Sequence, residues 1–241
     1  MTQSHVGSAV LRTVDDLRGP AGRLEALLNP GLPTAPYAAL VCHPHPLGGG
    51  TLHNKVVYHA MKALQSLGLP VLRFNFRGTG LSEGIHDNGR GEQDDVRAAL
   101  DWLDREFHRP LLFAGFSFGA YVGLQACCGD PRVAGLIALG LPVHAEGRDY
   151  QYDFLQACRQ PKLFVSGNRD PYGPVAKVED AVDLAAEPKE LVWIADADHF
   201  FTLLTMRNPA ASQQSAGSKL EEMRSVLRAW AQQQFPALAR P

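Results

Sequence analysis

Ser117, Asp170 and His199 are the residues of this chain whose types and spacing could together cleave an acyl bond. The serine lies in Gly115-Phe116-Ser117-Phe118-Gly119, after the apolar run Leu111–Ala114 and before the Ala/Leu-rich stretch Ala120–Cys128. A Gly-x-Ser-x-Gly match alone is weak. Framed by a strand and a helix it predicts a tight turn, in which only small side chains fit two residues either side of the serine. Such a turn lifts the hydroxyl above the sheet. It also sets the Phe118 amide at a helix N-terminus, where unpaired N–H groups favour developing negative charge. A serine hydroxyl is a poor nucleophile at neutral pH and needs a base within hydrogen-bond reach. His199, in Ala195-Asp196-Ala197-Asp198-His199-Phe200-Phe201, is the candidate base. Asp170, closing Ser166-Gly167-Asn168-Arg169-Asp170, is the candidate acid that would hold the imidazole tautomer and stabilise its cation. Asp196 and Asp198 compete with it, but both flank His199 on its own loop and are badly placed to reach its ring.

A second oxyanion donor is expected from His43-Pro44-His45-Pro46-Leu47-Gly48-Gly49-Gly50, which follows another strand-like run. Pro44 and Pro46 have no N–H, so the donor must be His45, Leu47 or a following glycine. His43, His45 and His53 also invite a metal reading. No acidic or cysteine ligand stands at useful spacing, and the alternating prolines restrict how the rings converge, so no metal is expected. The three glycines lack the Lys-Ser/Thr of a phosphate-binding loop. Around these residues, Phe118 and Phe200 could line an apolar acyl pocket or pack on the sheet. Arg77 and Asn75, at the end of a further strand, could bind a substrate carboxylate, or Arg77 could brace a neighbouring loop.

The elements that must position these groups can be read from periodicity. Strands are predicted at Arg23–Leu28, Tyr37–Cys42, Pro70–Phe76, Leu111–Phe116, Val133–Leu139, Lys162–Ser166 and Leu191–Ile194. Several are nearly continuous in apolar residues, as strands covered on both faces must be. Residues around Val10–Val14 and Arg23–Leu28 flank the turn cluster Gly19-Pro20-Ala21-Gly22 and predict an edge hairpin. Helical stripes recur at Val56–Leu67, Val96–Phe107 and Leu220–Trp230. This alternation predicts a mostly parallel, twisted α/β sheet with helices on both faces, formed by residues 1–241 as a single domain. Residues 1–18 are thus expected to supply an edge strand, and residues 236–241 to fray. Only Gly140 to Pro161 separates two of the strands, room for one short helix (Tyr152–Cys158) and not for a lid.

These motifs in their order resemble small bacterial α/β-hydrolases related to dienelactone hydrolases. The resemblance rests on the His43–Gly50 loop, on Asn54-Lys55-Val56-Val57-Tyr58 and on Arg73-Phe74-Asn75-Phe76-Arg77-Gly78-x-Gly80-x-Ser82-Glu83-Gly84. Gly91-Glu92 with Asp94-Asp95, the serine turn and Ala197–Phe201 extend it. It implies the α/β-hydrolase fold and an esterase-like activity with Ser117, Asp170 and His199 at the triad positions. Dienelactone hydrolases use a cysteine where this chain has Ser117, so their lactone chemistry does not carry over.

The totals agree with a globular enzyme. The 241 residues are 45% hydrophobic and 20% charged, enough to bury a sizeable core. A net charge of −2 lacks the footprint of a nucleic-acid binder. No long apolar run predicts a membrane span, and residues 1–6 show no secretory pattern. Cys42, Cys127, Cys128 and Cys158 form no disulfide or zinc spacing, which points to a reducing, cytoplasmic setting. The expected activity is hydrolysis of a small ester or thioester without a cofactor, by a monomer or homodimer. An amidase or acyl-peptidase using the same residues is one alternative, and a non-catalytic binding module on the same fold is another.

Overall fold

The runs of consecutive apolar residues form the middle of one sheet. The computed structural model describes residues 10–145, 147–203 and 209–239, with 209–218 as backbone only. The N-terminal segment read for a secretory pattern lies outside them. Eight strands build the sheet: β1 (Arg12–Val14), β2 (Ala26–Asn29), β3 (Ala38–Cys42), β4 (Val71–Phe74), β5 (Leu111–Phe116), β6 (Val133–Leu139), β7 (Lys162–Gly167) and β8 (Lys189–Ile194). Their order is β1-β2-β4-β3-β5-β6-β7-β8. The first two pairings are antiparallel and all the others parallel. Every residue of β3 and β5 is buried, as expected of strands covered on both faces.

Five helices flank the sheet: α1 (Lys55–Ser66), α2 (Arg90–Phe107), α3 (Phe118–Cys127), α4 (Val175–Asp183) and α5 (Pro209–Gln234). Two hydrophobic clusters result, one on each face. The first joins Leu100 and Leu103 of α2 and Val122 of α3 to Leu40, Phe74 and Phe113 of the sheet. The second joins Val57 and Met61 of α1 and Met223 and Leu227 of α5 to Val41, Leu112 and Val165. Alternate residues of one strand therefore feed opposite clusters, the period-two geometry of a pleated strand. This is the α/β-hydrolase fold.

The structure differs from the sequence-based expectation at four places. The predicted fraying from residue 236 does not occur at Pro236–Leu238, which form a 3-10 turn that buries Leu238 against the second cluster. Helix α4 and the small ribbon His144–Ala145/Arg148–Asp149 carried no sequence prediction. The edge hairpin is present but kinked: β1 pairs with β2, and Arg18–Gly19 pairs with Gly22–Arg23 at its tip. The β6–β7 connection holds the 3-10 helix Asp153–Ala157 where a short helix was predicted, and no cap among its described residues.

Helix α3 lies so close to β5 that a Cβ on Gly123 would stand 1.9 Å from the Phe113 ring. Gly123→Ala thus sets two effects against each other. Alanine favours a helix interior by about 1 kcal/mol, whereas overpacking costs about 1–3 kcal/mol. The clash is with a fully buried ring, so the packing cost is expected to win, and chemical denaturation should show a lower midpoint for the variant.

Candidate active site

The turn from β5 into α3 places Ser117 at φ 54°, ψ −122°, a conformation that side chains resist. The neighbouring glycines have no room to be anything else. A Cβ on Gly115 would lie 2.5 Å from the Gly119 carbonyl oxygen, and one on Gly119 would lie 2.3 Å from that of His43. The Ser117 N–H donates to Leu139 O at 2.9 Å, and the Ser117 carbonyl accepts from Ala120 and Tyr121. The hydroxyl is thereby held at the carboxyl edge of the sheet, with Phe118 as the first residue of α3.

His199 arrives on the loop after β8, and Asp170 on the loop after β7. His199 Nε2 lies 2.9 Å from Ser117 Oγ, and Nδ1 lies 2.6 Å from Asp170 Oδ2. These partners assign the neutral tautomer: Nδ1–H donates to the carboxylate and Nε2 accepts from the hydroxyl. Asp170 Oδ1 accepts from the Tyr172 and Gly173 amides at 2.8 and 3.3 Å, which leaves Oδ2 for the histidine. All three side chains are nearly buried, with residue exposures of 8% for Ser117 and 4% for Asp170 and His199. The imidazole is enclosed by Phe116, Tyr172 and Phe200, ring centroids 4.8–5.3 Å away. The competing acids do other work. Asp198 Oδ1 accepts from the Phe200 and Thr202 amides, and Asp196 pairs with Arg169 on the surface.

The loop after β3 faces the serine across an open cleft. His43 is wholly buried beneath it. Its Nδ1 lies 2.6 Å from Pro44 O and its Nε2 accepts from the Phe76 N–H at 3.0 Å, so both nitrogens are engaged and the ring anchors the loop. Burial, offset in part by the Pro44 hydrogen bond, holds its pKa down to about 4. His45 packs edge-on to the Phe118 ring and lines the cleft.

Several sequence expectations need correcting. The Leu47 N–H donates to His45 Nδ1 at 3.2 Å, inside the 3-10 turn Pro46–Gly48, and so does not point at the serine. Arg77 binds no cleft. Its guanidinium and its backbone N–H grip the fully buried Asp95 carboxylate at 2.8–3.2 Å, because a charge at that depth needs a fixed partner. Burial pushes the Asp95 carboxyl up while the Arg77 hydrogen bonds pull it back down. Asn75 is likewise a brace, accepting from the Leu52 N–H and donating to Glu25. The Phe118 ring is core, whereas Phe200 does line the cleft. Asn54, Ala145 and Tyr172 line it as well and were not singled out from sequence as cleft residues. Asn54 had a legible signal: it is the N-cap of α1, its Oδ1 accepting from Val56 at 2.9 Å.

With this geometry in view, comparison with known proteins is decisive. A family model described as an alpha/beta hydrolase domain matches residues 38–232. The chain belongs to the α/β-hydrolase family. An uncharacterized protein of Rickettsia prowazekii is 40% identical over 195 residues, covering 78% of this chain and 81% of its own. Among solved structures, an alpha-beta serine hydrolase homologue from Coxiella burnetii is 36% identical with a TM-score of 0.74, covering 94% of this chain and 99% of that one. A Xanthomonas campestris serine hydrolase described as lacking a lid is 33% identical with a TM-score of 0.75, covering 95% and 96%. A Pyrococcus furiosus esterase at 18% identity, TM-score 0.75 and coverages of 94% and 93% shares the fold. Among the described residues no lid domain covers the serine, and no helix is long and apolar enough to cross a membrane.

Two predictions test the braces. Arg77→Ala strands the buried Asp95 charge and should lower stability by about 3–5 kcal/mol. Denaturant titration would show this, while the KM of any ester turned over stays unchanged. His43 binds its proton less readily folded than unfolded, since its pKa falls from 6.5 to about 4. The unfolded chain therefore holds more protons between these values, and folding stability should fall as pH drops from 6.5 to 4. His43→Asn should flatten that slope in denaturation midpoints measured across the window.

Proposed function

We propose that this α/β-hydrolase cleaves small carboxylic esters or thioesters through an acyl-enzyme formed on Ser117. The observation carrying this reading is the unbroken chain Ser117 Oγ···Nε2 His199 Nδ1···Oδ2 Asp170, at 2.9 and 2.6 Å, on a strained strand-to-helix turn. Ser117 Oγ would attack the acyl carbon while its proton passes to His199 Nε2. The carbonyl π pair moves onto oxygen and is held by the Phe118 N–H, the first of its helix and without an intrahelical acceptor. Leu47 being turned to His45 Nδ1, the second donor would come from elsewhere in the loop after β3. Collapse expels the alcohol or thiol, which takes the proton from Nε2. Water then adds to the acyl carbon under the same base, and the released acid regenerates Ser117. Asp170, held by two amides, keeps the imidazole turned and stabilises its transient cation.

With no cap among the described residues the cleft is open, which suits small acyl groups resting on Phe200 and Tyr172. Wild type should take one fluorophosphonate adduct by intact mass and turn over activated esters. Ser117→Ala should do neither while keeping its fold. Asp170→Asn should retain the adduct site but lose about 10⁴ in kcat. Ester turnover by pure Ser117→Ala, or an anilide preferred over the matching ester, would overturn the assignment.

A further inference from the structure

A second set of nucleophilic side chains lies at the far end of α3, away from the cleft. Cys128 is the C-cap of that helix, and Cys158 closes the 3-10 helix Asp153–Ala157 in the β6–β7 connection. The Gln160 side chain binds the two segments together. Its Oε1 accepts from the Gly129 N–H at 3.0 Å and from the Cys158 thiol at 3.3 Å. Its Nε2 donates to Cys127 O and Asp130 O at 2.9 and 3.2 Å. From the helix side the Cys128 thiol reaches toward Phe154 O at 3.9 Å. The two thiols thus share one corner, Cys128 reaching the 3-10 helix that Cys158 closes and Gln160 holding both segments. Cys128 is half-buried and lines an open groove with Gln93, Gln125 and Phe154, whereas Cys158, like Cys42 and Cys127, is fully buried.

We propose that Cys128 and Cys158 are an oxidisable dithiol, a modification site that a hydroperoxide converts to an intramolecular disulfide. Nothing in the acyl-transfer reading requires either sulfur. The corner favours the reactive form: the Cys128 thiol hydrogen bond, with the Lys162 ammonium behind it, draws Cys158 down to a pKa of about 7. Lys162 is fixed there by the Ala186 and Pro188 carbonyls at 2.7 and 3.4 Å. A thiolate of the pair attacks the terminal peroxide oxygen. An S–O bond forms, the O–O bond breaks, and the departing alkoxide or hydroxide takes a proton. The remaining thiol then attacks the sulfenic sulfur, the S–S bond forms, and the S–O bond breaks to release water. In sum, two thiols and one hydroperoxide give a disulfide, an alcohol (or water) and water. The disulfide formed is the same whichever sulfur is oxidised first.

The test uses the full-length protein, reduced and then treated with hydrogen peroxide, with free thiols alkylated before proteolysis. The expected product is lighter by two hydrogen atoms, yields one crosslinked peptide pair joining Cys128 to Cys158, and reverts with dithiothreitol. Cys128→Ser and Cys158→Ser should each fail to form it. Mapping on wild type stands even if a variant does not fold. Oxygen addition at Cys128 without a crosslink would overturn the proposal. So would a crosslink at Cys127, or a folded protein left untouched by peroxide that crosslinks the urea-denatured chain.

Discussion

The site depends on how closely the backbone passes itself at the end of β5. Gly115 and Gly119 abut the turn and the His43 carbonyl at distances that no Cβ tolerates, so three pieces of chain are fixed against one another at a single point. The positive φ at Ser117 follows from that crowding, at a cost of about 1–3 kcal/mol. It is sustained by the bond from Ser117 N–H to Leu139 O and by the first turn of α3. The same contact sets the distance between the serine and the loop that faces it. Moving either would move both.

The polar groups around the turn divide into those that face the cleft and those that hold its frame. The loops after β7 and β8 are tied by the Arg169 N–H to Ala197 O and by Asn168 Oδ1 accepting from Asp196 N–H. Asp170 and His199 therefore travel on one lashed unit. Gly140 completes it, since a Cβ there would meet both the Phe116 and His199 rings within 3.3 Å. On the opposite side, His43 and the Arg77–Asp95 pair anchor the β3 and β4 loops from beneath.

Much of this was legible in the sequence, and the reasons are specific. Strands β5 and β6 were placed to the residue because uninterrupted apolar runs admit little else. Ser117, Asp170 and His199 stood out because three such types at three strand ends have few structural uses, and the structure brings them into contact. The roles of Leu47 and Arg77 could not be read the same way. Each depends on where one hydrogen bond goes, and the partners, His45 Nδ1 and the buried Asp95, become visible only once the chain is folded. Tyr172 and Ala145 were missed for a related reason: a cleft wall is set by the meeting of distant loops, and neither residue type marks it. Leu238 was lost to a prior about chain ends that its own packing overrides.

Tyr172 and Phe200 are about 40% exposed and meet the rest of the site mainly through the His199 ring. Neither belongs to the cluster on either face of the sheet. The two rings that edge the cleft thus lie outside both clusters, and Phe200 touches one of them only through Phe116. A lineage, or an engineer, can exchange these two side chains for others and explore new clientele without renegotiating the interior.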